Sequence, residues 1–111
     1  AMNDLMRPAL YGAIHRIMPS LKNNKISNEN HEFVGPICES TDSFLNLKKF
    51  QDLKENEIIV ICDVGAYGMS LGSNYNLRPK PIELMIKGSK IKIIKKRHTG
   101  RCFGGTYHSF Y

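Results

Sequence analysis

One stretch of the chain constrains its fold more than any other. Residues 58–64, Ile-Ile-Val-Ile-Cys-Asp-Val, form a largely β-branched run that ends at Gly65. β-Branched side chains fit the pleated surface of a sheet and lose rotamer freedom in a helix, so this run predicts a buried strand. No intervening stretch is long enough for a helical crossover, so we expect antiparallel pairing and a mainly β fold. Weaker strand patterns occupy residues 13–21, 32–37, 82–86 and 90–95.

A short helix is predicted near the N-terminal end. Asn3 or Asp4 would cap it, and it would reach about Tyr11, with Pro8 tolerated in its first turns. Residues 66–76 contain glycine and serine and would form a second short helix, whereas residues 41–54 are polar and predict irregular structure.

The basic residues are concentrated in one part of the chain. The net charge is +6, and lysines alternate with isoleucines within residues 87–101. This alternation is typical of a strand with one solvated face, and the dipeptide Gly88-Ser89 predicts a type II′ hairpin. A missing acidic partner would also leave a chain basic.

The cysteines and apolar runs exclude several classes of protein. Cys38, Cys62 and Cys102 show no Cys-x-x-Cys spacing, so neither a disulfide framework nor a metal site is predicted. The longest apolar run, residues 58–62, is far shorter than the roughly 18 residues that cross a membrane. No signal peptide pattern opens the chain, so we expect a cytoplasmic protein.

The first cluster with chemical potential is Arg7-Pro8-Ala9-Leu10-Tyr11. Arg7 and Tyr11 are four residues apart and would share a face of the predicted helix. A guanidinium beside a phenol suits a carboxylate ligand. The pattern fits a surface arginine beside a packed tyrosine equally well.

Two further clusters lie at predicted strand ends. Cys38-Glu39 would follow the strand at 32–37 and would combine a proton donor with a cation-binding carboxylate, although a lone cysteine is more often a small core residue. Gly65-Ala66-Tyr67-Gly68 would make a sharp turn with Tyr67 projecting from it, although glycine-rich turns are common.

In this order the clusters resemble the diaminopimelate decarboxylase family, a branch of the alanine-racemase-like pyridoxal-phosphate decarboxylases. The resemblance covers residues 2–97, and it implies that they form the C-terminal, antiparallel, Greek-key β-barrel-like domain of a two-domain enzyme. In that family a (β/α)8 TIM barrel carries the cofactor lysine and the phosphate-binding glycines. The matching segments are Met-Asn-Asp-Leu-Met-Arg-Pro-Ala-Leu-Tyr, Val-Gly-Pro-Ile-Cys-Glu-Ser, Gly-Ala-Tyr-Gly and Ser-Asn-Tyr-Asn-Leu-Arg-Pro.

The resemblance also implies a role for each candidate residue. Arg7 and Tyr11 would hold the distal carboxylate of meso-diaminopimelate, and Glu39 would recognise its distal ammonium group. Cys38 would supply the proton that replaces the lost carboxyl group. Cys38 and Glu39 would act across a dimer interface in the partner's site, and Tyr67 would contact both substrate and cofactor.

The sequence lacks the TIM barrel and the lysine that forms the Schiff base. The reaction implied is the conversion of meso-2,6-diaminopimelate to L-lysine and CO2 with pyridoxal 5′-phosphate. We therefore expect the chain to bind no cofactor and to be inactive by itself. Its partners would be the missing barrel half, or a separate chain that carries it, and a second copy of this chain.

The match to the family ends near Arg97, and residues 98–111 are predicted to be a non-family tail. Codons exist for residues 99–106 that, read one nucleotide later, encode Leu-Glu-Asp-Val-Leu-Glu-Glu-Leu. Such an acidic amphipathic helix is what the family has at this point, so a frameshift is one explanation of the tail. A divergent but genuine tail is the other.

A different class of function is an interaction or nucleic-acid-binding module. Basic residues interleaved with aromatic ones suit base stacking. A basic patch is only the first element of such a case, so this remains the alternative to the enzyme domain. The residues concerned are Arg97, Arg101, Phe103, Tyr107, His108, Phe110 and Tyr111.

Overall fold

The computed structural model describes residues 1–98 and divides the chain into two compact units, of which the second begins at Ser73. Strands predominate, with one short α-helix near the N-terminal end, so the predicted mainly β class is confirmed. Within residues 1–98 no helix combines the length and the apolar character that crossing a membrane requires. The elements are α1 (Arg7–Tyr11), β1 (Ile17–Pro19), β2 (Ile26–Ser27), β3 (His31–Val34), β4 (Ser43–Leu47), β5 (Phe50–Gln51), β6 (Ile59–Ile61), a 3-10 helix (Tyr75–Leu77), β7 (Glu83–Lys87) and β8 (Lys90–Lys95).

The strands of the first unit pair in a nested order. β3 pairs with β4, β2 with β5 and β1 with β6, all antiparallel, as the sequence predicted. Each pair encloses the next, so the unit is one long hairpin ribbon interrupted by loops. The loop of residues 35–42 closes the innermost pair and therefore lies at the tip of this ribbon.

A small aromatic core holds the ribbon together. Ile17, Phe33 and Phe50, from β1, β3 and β5, are buried against one another. The rings of Phe33 and Phe50 meet edge to face, with centroids 5.0 Å apart at 74°. Because these strands belong to three different pairs, the ribbon must curl for their side chains to meet.

The N-terminal helix begins later than the sequence predicted. α1 starts at Arg7 with Met6 as its N-cap, and no side chain caps it. Asn3 and Asp4 were expected to cap, but the Asn3 amide donates to the Asp4 carboxylate at 3.1 Å. Gly12 ends the helix in the left-handed region at φ 65°.

Other predicted boundaries also change. Residues 41–54 contain two strands, β4 and β5, because Phe44 and Leu45 pack on the aromatic core although the surrounding sequence is polar. The strand expected over 13–21 shortens to β1, and the second helix reduces to one 3-10 turn, Tyr75–Leu77.

The second unit contains the basic hairpin. Lys87 pairs with Lys90, so Gly88-Ser89 is the two-residue connection, and Gly88 has a φ of 59°, as a type II′ turn requires at its first central position. The structure differs from the sequence prediction in one respect, since both faces of the hairpin are exposed and not one. Its exposed apolar side chains are Leu84, Met85, Ile86, Ile91, Ile93 and Ile94.

Candidate functional site

The five-residue helix α1 begins with the candidate Arg7 and ends with the candidate Tyr11. Arg7 and Tyr11 are one helical turn apart, and Tyr11 is exposed. None of the residues 1–98 forms an ion pair with the Arg7 guanidinium. The helix lies against β4. A guanidinium that has no carboxylate partner among the described residues can donate hydrogen bonds to a carboxylate ligand.

The 35–42 loop carries the second pair of candidates. β3 ends at Val34, three residues earlier than predicted, so Cys38 and Glu39 lie in the loop and not at a strand end. Both are exposed, and the preceding Ile37 is buried as an anchor. The Glu39 N–H donates to the Ile37 carbonyl at 2.8 Å. The loop thus has internal bonds that fix the backbone on which the thiol and the carboxylate are carried.

The turn after β6 carries Tyr67, whose ring is 65% exposed. Its backbone has a φ of 64°, in the left-handed region that a bulky residue rarely adopts. The following Gly68 is required, because a Cβ there would collide with the Val64 carbonyl oxygen. Such strain persists where surrounding structure enforces it, and it clusters at functional sites.

Met2 and Asn3 precede α1 along the chain and lie close to the other two segments. The Met2 N–H donates to Oδ1 of Asp42, at the end of the 35–42 loop, at 2.7 Å. A Cβ on Gly72, just beyond the Tyr67 turn, would lie 3.5 Å from the Asn3 carbonyl oxygen. Asn3 has no exposed surface. The buried segment that leads into α1 therefore lies against both the 35–42 loop and the residues just after the Tyr67 turn.

The sequence did not mark Asp42 as important, and it predicted Asn3 only as a helix cap. Both are buried polar residues on which the arrangement depends. Nothing in their local sequence distinguishes them from exposed neighbours such as Asp52 or Asn46. The one available signal is the glycine that begins the loop, because Gly35 leaves room for the Asp42 carboxylate.

The cavity described within residues 1–98 is not lined by the candidate residues. This cavity of about 210 Å³ lies where β1 ends and β6 begins. Its walls contain none of the predicted site residues. Tyr11, Cys38, Glu39 and Tyr67 are instead exposed at the surface. The cavity is lined by Pro19, Ser20, Leu21, Leu53, Asn56, Glu57 and Ile58.

His15 and Cys62 contribute to the β-sheet structure and have no part in the candidate site. Nδ1 of the buried His15 lies 3.0 Å from the Cys62 carbonyl oxygen, next to the bond from the Cys62 N–H to the Arg16 carbonyl. These contacts extend the β1–β6 ladder. Cys62 is half-buried, whereas Cys102 and the aromatic residues of the alternative binding module lie outside the described residues.

Comparisons with known proteins identify the family and the fold. Residues 1–65 match the family model of the pyridoxal-dependent decarboxylase C-terminal sheet domain. The chain is 45% identical to the diaminopimelate decarboxylase of Helicobacter pylori over 86% of its length and 24% of the relative's. Its fold is similar to a crystal structure of the H. pylori enzyme complexed with L-lysine, with a TM-score of 0.79 at 44% identity, covering 88% of this chain and 24% of the other.

A more distant relative gives the same result. The diaminopimelate decarboxylase of M. jannaschii, in co-complex with L-lysine, superimposes with a TM-score of 0.82 at 35% identity, covering 88% of this chain and 22% of the other. The chain thus spans about a quarter of the length of the relatives that it matches. It belongs to the family of pyridoxal-dependent decarboxylase C-terminal sheet domains.

Proposed function

We propose that this chain acts as the C-terminal part of a diaminopimelate decarboxylase, which converts meso-2,6-diaminopimelate to L-lysine and CO2 in the cytoplasm. The observation that carries the proposal is that Met2 and Asn3, in the segment that leads into α1, lie against the 35–42 loop and the residues just after the Tyr67 turn. The L-lysine in the crystal structures of two relatives supports the same product here.

Substrate recognition rests on three side chains. Arg7, without an ion-pair partner among residues 1–98, and the exposed Tyr11 would bind the distal carboxylate. The exposed carboxylate of Glu39 would bind the distal ammonium group. Opposite charges at the two positions select a substrate whose distal end carries both a carboxylate and an ammonium group.

The residues present also fit a contact with pyridoxal phosphate. Tyr67 offers an exposed ring from a strained turn that Gly68 keeps open, and this aromatic surface suits a flat cofactor. Pyridoxal phosphate, when bound, supplies the electron sink for decarboxylation. The exposed Cys38 thiol would then donate its proton to the carbon that CO2 has left.

The chain by itself is proposed to be inactive. The TIM barrel and the cofactor lysine would come from the rest of the enzyme, and Cys38 and Glu39 would serve a partner subunit's site. The apolar side chains on both faces of β7 and β8 support an assembly, since exposed apolar patches on strand pairs commonly mark interfaces.

Reconstitution tests the proposal. The chain is mixed with a barrel-bearing chain of a related decarboxylase that lacks its own sheet domain, and CO2 release from meso-diaminopimelate is measured. We expect activity only in the mixture. Glu39→Gln should raise KM by about tenfold or more, because a charge-assisted hydrogen bond is lost. Glu55→Gln, which removes an exposed carboxylate in a turn, is the matched control.

Two results would contradict the proposal. One is CO2 release by this chain without the barrel. The other is a reconstituted enzyme whose KM responds equally to Glu39→Gln and Glu55→Gln, because the first carboxylate would then have no special relation to the substrate.

A further inference from the structure

Asp42 is a buried acid of the first unit, only 3% exposed, whose side chain and backbone form several hydrogen bonds. Oδ1 accepts a hydrogen bond from the Met2 N–H and Oδ2 accepts one from the Ile37 N–H, each at 2.7 Å. Its backbone completes the loop, since the Gly35 N–H donates to the Asp42 carbonyl at 2.8 Å and the Asp42 N–H donates to the Glu39 carbonyl at 3.0 Å.

Closing the 35–42 loop does not require the side-chain hydrogen bonds of Asp42. Burying a carboxylate is unfavourable unless its oxygens are bonded, and no residue among 1–98 forms an ion pair with Asp42. The two N–H groups that compensate it come from segments 40 and 5 residues away. The backbone bonds of Gly35 and Glu39 would close the loop without the side chain, so the carboxylate has a further effect.

That effect is to join two separate segments. The Ile37 N–H lies immediately before Cys38 in the 35–42 loop, and the Met2 N–H lies in the segment that leads into α1. Gly35 makes the junction possible, because a Cβ at that position would collide with both carboxylate oxygens of Asp42.

We propose that Asp42 is a positioning residue, whose carboxylate holds the loop bearing Cys38 and Glu39 in a fixed relation to the helix bearing Arg7 and Tyr11. This inference rests on the proposed function. Because the loop would serve the partner subunit's site and the helix its own, one carboxylate orders the proton donor of one site and the carboxylate clamp of the other.

The first test measures amide hydrogen exchange in the full chain. In Asp42→Asn one oxygen is replaced by an NH2 group, which repels the N–H group that faces it whichever way the amide turns, so the side chain is displaced and both hydrogen bonds weaken. Exchange of the segments 1–6 and 33–40 should accelerate together, by roughly 10- to 100-fold, as expected when charged hydrogen bonds are lost. Gly35→Ala should give the same pattern by displacing the carboxylate. Asp52→Asn, which changes an exposed carboxylate, should change neither segment.

The second test uses the reconstituted enzyme at matched folded fractions. Asp42→Asn should raise KM and lower kcat, each by about tenfold, because both the clamp and the proton donor lose their positions. A residue that only stabilises the fold would lower the amount of active enzyme and leave KM unchanged.

The outcomes separate this inference from the proposed function. Acceleration confined to the 33–40 segment, or an unchanged KM and kcat, would overturn the positioning role. If the unsubstituted reconstituted enzyme releases no CO2, the proposed function fails, while the exchange result still decides whether Asp42 joins the two segments.

Discussion

Replacing Tyr67 with glycine should lower the activity of the reconstituted enzyme and leave the stability of the chain nearly unchanged. Tyr67 has a φ of 64°, and an L-residue in the left-handed region costs about 1–2 kcal/mol. Glycine removes that strain. The substitution also removes an aromatic ring, which the proposed function requires for contact with substrate and cofactor.

The structure sets the expected magnitude. The ring is 65% exposed, so only about a third of the roughly 1.5–3 kcal/mol available from burying an aromatic side chain is lost. Glycine also increases the backbone entropy of the unfolded chain, which opposes folding by about 0.5–1 kcal/mol. These effects offset the relief of strain, so the free energy of unfolding should change by no more than about 1 kcal/mol.

Urea denaturation of the chain measures the free energy of unfolding, and CO2 release by the reconstituted enzyme measures the activity. We expect near-neutral stability with activity lowered by at least about tenfold. Asn56→Gly is the control, because Asn56 also has a positive φ, of 68°, in an exposed turn away from the candidate residues. A large loss of stability in Tyr67→Gly, or equal activity of the two variants, would refute the reasoning.

Three further predictions concern the clamp, the core and the tail. Arg7→Ala should raise KM for meso-diaminopimelate by roughly 10- to 150-fold with little change in cofactor affinity, because a charged hydrogen bond is worth about 1.5–3 kcal/mol, whereas the exposed Arg16→Ala should not; equal effects would contradict the clamp. Phe50→Ala should lower the free energy of unfolding by about 3–5 kcal/mol in urea, against about 0.5 kcal/mol for the exposed Leu10→Ala; a small loss at Phe50 would contradict the aromatic core. Deleting residues 100–111 should leave Tm within about 2 °C, measured by thermal unfolding, and a larger fall would give the tail a structural role.

The sequence predicted the structure correctly where the conformation depends on adjacent residues. The Gly88-Ser89 turn was predicted because its conformation depends on those two residues. The segments that contain Arg7, Cys38 and Tyr67 were singled out because their residue types are unusual together. The roles of those residues remain predictions.

The sequence was insufficient where distant segments decide the structure. Strands β4 and β5 form in a polar stretch because Phe44 and Leu45 contact a core built from other strands. The helix start was wrong because Asn3 and Asp4 bond to each other. Asp42 was missed because its donor, Met2, is 40 residues away and no pattern along the chain records that bond.

The central claim is that this chain supplies the proton donor of a decarboxylase, and one measurement tests it most directly. In the reconstituted enzyme, kcat is compared for Cys38→Ala and for Cys62→Ala, the half-buried cysteine of the first unit. The account predicts that Cys38→Ala lowers kcat by at least about 100-fold, with cofactor binding unchanged, because loss of a general acid acts after binding. Cys62→Ala should leave kcat within about twofold, since its thiol has no part in the proposed chemistry. Equal kcat values for the two variants, or a loss of cofactor binding in Cys38→Ala, would contradict the account.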